Sequence, residues 1–154
     1  KQTIIYTRDK WADMFAMWPS VKKLPALPYE GDKRQDEPFH WGTGPFAGVV
    51  ATSFKPKAVF MLGFDLYPLP GSDQKKDNNI YRDSKGYTYI KRPVDPSYWI
   101  HQFGKLFEHS DCRWIIVNRE DWKMPKEWSG YKNVFQETYE GMAKFVQKQL
   151  TKSK

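Results

Sequence analysis

The sequence is short of the residues that build disulfides, metal centres and membrane spans. It holds one cysteine, Cys112, and three histidines, His40, His101 and His109. A single thiol excludes an intrachain disulfide and a cysteine-built zinc site. No His-Glu pair stands at metal-ligand spacing, so neither a metal nor a cofactor is expected. No apolar run approaches the roughly twenty residues that a membrane-spanning helix needs, and the amino terminus lacks a signal-peptide pattern. The expectation is a cytoplasmic protein with no membrane span. Acidic residues are also in the minority, 18 against 25 Lys and Arg, for a net charge of +7. That balance favours an anionic partner. The basic residues fall in separated pairs (Lys22-Lys23, Lys33-Arg34, Lys75-Lys76, Lys91-Arg92) and in the closing stretch Lys144–Lys154. No aromatic-basic module of a known type interleaves them, and nucleic acid is not the expected partner.

Aromatic residues are abundant instead: 7 Trp, 9 Tyr and 10 Phe, or 17% of 154 residues. A chain of this length fits one domain, 1–154, and buries a core without covalent staples. Most of the aromatics are expected there. The same side chains also line sugar and nucleotide clefts, and an exposed aromatic patch would let copies self-associate as a homo-oligomer.

Residue patterning alternates strand and helix. Thr3–Tyr6 is a short β-type run with Thr7 as N-cap to a helix over Arg8–Met17, whose stripe Trp11, Met14, Phe15 and Trp18 is expected in the core. Val21–Leu27 is an edge or extended piece, because Pro25 and Pro28 cannot donate to a ladder. After the polar loop Tyr29–Phe39, Gly42-Thr43-Gly44-Pro45 opens a helix, with Thr43 as N-cap and Pro45 in the first turn. Ala58–Gly63 is apolar without alternation and reads as a central strand covered on both faces. Pro68–Arg92 is irregular and reads as a lid or loop. Asp95-Pro96 starts a helix with the stripe Trp99, Ile100, Phe103, Leu106 and Phe107. Arg113–Asn118 is a second buried strand, and a last helix runs from about Glu137. The alternation predicts an α/β fold, a small Rossmann-like three-layer domain with a mostly parallel sheet.

Ligands of open α/β sheets bind beyond the carboxyl ends of the strands. Two segments meet that condition. Phe64-Asp65-Leu66-Tyr67 follows the strand directly, and Gly42-Thr43-Gly44 comes to the same end because the helix runs antiparallel to the strand. Its free N–H groups and the Thr43 hydroxyl suit a phosphate or a carboxylate. The plain alternatives stay open: Thr43 is a competent N-cap with no ligand, and Asp65 suits a turn. The lone Gly-x-Gly is not a phosphate loop of the Walker type. Of the histidines, His40 adjoins this segment, whereas His101 lies within a helix and His109 at its end, where a cation complements the dipole.

Thr43-Gly44-Pro45-Phe46, followed by Ala58-Val59-Phe60-Met61-Leu62-Gly63-Phe64-Asp65-Leu66-Tyr67, resembles the paired hydroxyl-Gly and LxGxDxY segments of bacterial lipooligosaccharide sialyltransferases and related phage-encoded glycosyltransferase-like proteins. The resemblance covers about twenty-five residues closely. It implies a Rossmann-like domain that binds a nucleotide sugar, cytidine-monophosphate-linked sialic acid in that family. Thr43, Gly44 and Tyr67 then bind the donor, and Asp65 organises the turn beneath it. Three departures accompany it. The family's nucleotide-binding amino-terminal half has no counterpart here, so a fragment of a longer protein is one expectation. His40 stands where the family has an arginine. The family's general-base histidine falls near Val94-Asp95, which leaves Asp95, or His40, as acid/base. The alternative is a non-catalytic remnant or interaction module of phage origin.

Overall fold

A computed structural model of the chain describes residues 3–29, 41–67 and 96–152. His40, Asp95 and the expected lid 68–92 lie outside these residues. The first unit is a two-stranded parallel sheet, β1 (Ile5–Thr7) beside β2 (Val21–Lys23), in which Tyr6 pairs with Lys22. The helix between them is shorter than its pattern predicts. Arg8, not Thr7, is the N-cap of α1 (Asp9–Ala12), and a 3-10 turn, Asp13–Phe15, follows at once.

That tightening turns the expected core stripe outward. At three residues per turn the side chains no longer fall on the stripe that 3.6 residues per turn would give. Only Ala12 is buried; Met14, Met17 and Trp18 are 66%, 83% and 60% exposed, and Trp11 and Phe15 stand out as well. The Lys23 ammonium lies 3.8 Å from Asp9 and 3.9 Å from Asp13. All three side chains are exposed, so the pairs add little stability.

The main sheet contains β3 (Ala58–Leu62), β4 (Arg113–Asn118) and β5 (Val134–Thr138) in the order β3-β4-β5, all parallel. Two corrections follow. Among the described residues the strand read as central, β3, has a neighbour on one side only, and β4 takes the centre with its β-branched and aromatic run Trp114-Ile115-Ile116-Val117. The closing helix, α4 (Tyr139–Lys152), is preceded by β5, which the sequence pattern concealed. One sheet face, Met61, Trp114, Ile116 and Val134, packs on α2 (Thr43–Ser53) and α3 (Ser97–Glu108). The opposite face carries Phe60, which meets Phe145 of α4 at 5.6 Å between ring centroids. The chain is therefore an α/β three-layer Rossmann-like domain. No helix among the described residues is long and apolar enough to cross a membrane.

The core lies between α3 and β4. Phe103, Leu106, Phe107, Trp114, Ile116 and Trp128 are all but inaccessible. Phe107 meets Trp114 and Trp128 edge-on at 5.2 and 5.1 Å, a preferred geometry for aromatic pairs. Several buried polar groups of this layer find partners. The Trp128 indole donates to the Ile100 carbonyl at 2.9 Å, and Trp114 donates to Ser110 Oγ at 2.7 Å. The Asn133 amide donates to the carbonyls of Phe107 and Ser110, satisfying the carboxyl end of α3, where orphan carbonyls collect. The Cys112 thiol is buried in the same layer, and desolvation raises its pKa.

Candidate functional site at the carboxyl edge of the sheet

Each strand of the main sheet ends at the same edge, and α2 and α3 both start there. At α2 the N-cap is Gly42, whose carbonyl accepts from Phe46 N at 3.1 Å. Thr43, expected as the cap, is the first helical residue, and it is exposed. The Gly42 N–H is already taken by Gln102 Oε1 at 3.1 Å. Pro45 carries no N–H. Among the described residues the first turn of α2 thus keeps two backbone donors, those of Thr43 and Gly44, with the Thr43 hydroxyl beside them.

Both flanking glycines are required by close approach. A Cβ on Gly44 would lie 2.6 Å from Phe64 Cε1, and one on Gly42 would lie 2.6 Å from Trp99 Nε1. The first contact ties the start of α2 to the turn after β3, which confirms the antiparallel placement read from the sequence. The second brings in the first turn of α3. Phe64 is itself fixed by an edge-on packing against Phe103 at 5.1 Å.

The turn after β3 is tightly constrained. Gly63 has φ +75° and Leu66 has φ +59°, a left-handed conformation that costs a non-glycine residue about 1–2 kcal/mol. Packing of the Leu66 side chain against the core offsets that strain. The Asp65 carbonyl accepts from Tyr67 N at 2.6 Å and from Trp122 Nε1 at 2.7 Å. Asp65 therefore organises the turn through its backbone, while its side chain is exposed. Asn118, fully buried at the end of β4, donates to the Phe64 carbonyl at 3.5 Å and accepts from Arg119 N at 2.9 Å. Tyr67 is 40% exposed; partial burial, and then the negative charge of Glu127, push its phenol above the ordinary tyrosine value.

Thr43, Gly44, Asp65 and Tyr67 thus belong to the two segments joined at this edge. His40 and Asp95, the expected acid/base residues, lie outside the described residues. Among the described residues no group of His, Cys, Asp or Glu is arranged to hold a metal. A separate cleft of about 420 Å³ runs along the other side of α3, between Gly104, Lys105 and Glu108 and the segment carrying Glu127 and Tyr131. None of the four predicted binding residues lines it. The sequence pattern placed Trp99 in a helix stripe and Asn118 at a strand end without marking either as a site residue, and it did not single out Gln102 or Trp122. A polar Gln102 inside an otherwise apolar helix face was the one available signal. No protein-family model, curated protein or solved structure matches this chain.

Proposed function

We propose that the carboxyl edge binds a nucleotide sugar and that the chain is a glycosyltransferase-like domain related to sialyltransferases. The observation that carries this reading is the seat of Gly44 against Phe64, which joins the free donors of α2 to the turn bearing Tyr67. A helix N-terminus with unsatisfied N–H groups favours a phosphate, and the net charge of +7 steers anions toward the protein. In this reading Thr43 and Gly44 hold the donor phosphate, Tyr67 faces it, and Asp65 shapes the turn below. Asp95 or His40 would then move the proton of the acceptor hydroxyl. Calorimetric titration with cytidine monophosphate and its sialic acid conjugate tests the reading, with saturable heat expected from both. Absence of heat at millimolar ligand removes the donor assignment.

One observation favours the second reading, a non-catalytic interaction module. The outward Trp11, Met14, Phe15, Met17 and Trp18 expose large apolar side chains within one short segment, and exposed apolar surface of this kind marks partner sites. Turnover of a nucleotide sugar, measured as release of cytidine monophosphate, separates the two.

A further inference from the structure

We propose that Trp99 and Gln102 of α3 complete, with Thr43 and Gly44 of α2, a pocket for a phosphoryl group between the N-termini of the two helices. The inference rests on the reading of this edge as ligand-bearing and adds two residues that the sequence motif does not contain. Gln102 is fully buried, and its Oε1 is committed to the Gly42 N–H at 3.1 Å. Its NH2 has no acceptor among the described residues. A buried amide donor without a partner is rare in folded proteins, because its desolvation is not compensated. The Oε1 bond holds this NH2 beside the first turn of α2.

Trp99 supplies the next donor. Its indole Nε1 stands 2.6 Å from where a Gly42 Cβ would be, so only glycine lets the ring approach the start of α2 this closely. Through Gly42, which touches both Trp99 and Gln102, the pocket would draw on the N–H groups of Thr43 and Gly44, the Thr43 hydroxyl, the Trp99 indole and the Gln102 amide. The two helices run side by side in the same direction: Gly42 meets Trp99 and Gln102, and one turn and a half further on Gly48 meets Phe103 and Leu106. Both positive dipole ends therefore face the same space. Five donors exceed what one carboxylate needs, whereas a phosphoryl group offers three oxygens with several lone pairs. The oxygen that reaches Gln102 is one that buries itself between the helices. Free phosphate and a nucleotide phosphate present this same chemistry.

The test uses the whole chain labelled with 5-fluorotryptophan and read by fluorine NMR, with Trp99→Phe assigning the Trp99 signal. Titration with inorganic phosphate, and separately with cytidine monophosphate, is expected to shift the Trp99 resonance saturably while core Trp114 and Trp128 stay in place. Gln102→Glu keeps an acceptor for the Gly42 N–H but replaces the NH2 by a negative charge, and should weaken either ligand at least tenfold. If the core resonances show that this variant is misfolded, Trp99→Phe decides alone by calorimetry, where a several-fold loss of phosphate affinity is expected. A Trp99 signal indifferent to both ligands, or undiminished affinity in the deciding variant, overturns the pocket. Binding of inorganic phosphate as tightly as the nucleotide leaves the pocket standing and removes the cytidine reading.

Discussion

Single atoms decide whether the two helices and the strand can meet. A Cβ on Gly48 would lie 2.7 Å from Leu106 Cδ1 and 3.3 Å from Trp114 Cη2, inside the densest part of the core. Gly48→Ala gains helix propensity of about 1 kcal/mol but overpacks a site where such insertions cost about 1–3 kcal/mol. The overpacking should win, and urea denaturation should give a lower midpoint at unchanged slope. Trp122→Phe keeps the ring buried and removes the indole bond to the Asp65 carbonyl. A loss of about 1–2 kcal/mol is expected from a buried acceptor left unpaired, together with weaker binding of cytidine monophosphate because the Tyr67 turn loosens. An equally stable variant with full ligand affinity would show that Leu66 packing alone sets the turn. Roles such as that of Trp122 were not legible in the sequence. The bond spans 57 positions, and no local pattern encodes a partner that distant. The positions of Thr43 at a helix start and of Tyr67 beyond a strand end were legible because both are local events.

At the scale of elements, legibility followed the contrast between neighbouring residues. The strand Arg113–Asn118 emerged at its observed bounds because four consecutive β-branched or aromatic residues fill it, and α3 emerged because its apolar stripe recurs at helical spacing. The strand Val134–Thr138 did not, since three of its five residues, Gln136, Glu137 and Thr138, are polar and it is outermost among the described strands, largely in solvent. The place of β3 beside β4, outermost among the described strands, was also beyond local pattern, because strand order is set by which crossovers pack together. The N-terminal unit shows the reverse failure: its stripe was present but the 3-10 turn pointed it outward. Met17 and Trp18 consequently add no core stability. Met17→Lys with Trp18→Lys should leave the unfolding free energy within about 0.5 kcal/mol of the parent. If this face mediates self-association, sedimentation at high concentration will show the double variant more monomeric than the parent. An unchanged sedimentation profile in an associating parent assigns the association elsewhere, with the half-exposed Phe145 and Leu150 of α4 as the next apolar face.

Whole-molecule behaviour depends on what the fold does to its titrating groups and its charge. Burial raises the Cys112 thiol above its ordinary 9.0, and burial together with glutamate charge raises the phenols of Tyr67 and Tyr131 above 10.0. The folded state therefore holds these protons more tightly than the unfolded chain. Their contribution is complete below the unfolded values and is lost as pH rises through the folded ones. Stability should fall from about pH 9 upward, first through Cys112, and Cys112→Ala should delay the onset toward the tyrosine range.

The ligand reading makes an opposite, stabilising prediction for the same fold. A phosphoryl ligand that binds only the folded state at one hundred times its Kd adds about 2.7 kcal/mol by mass action. For a chain of this size each kcal/mol moves the melting temperature by about 2–4 °C, so a rise of several degrees is expected. Because the steering charge acts through solvent, the gain should shrink between low and physiological salt. It should also be small in Gln102→Glu, since the negative charge stands where the ligand oxygen would accept. A stabilisation by phosphate that survives both high salt and that substitution would place the anion on the separated surface lysines, away from the edge where α2, α3 and the Tyr67 turn converge.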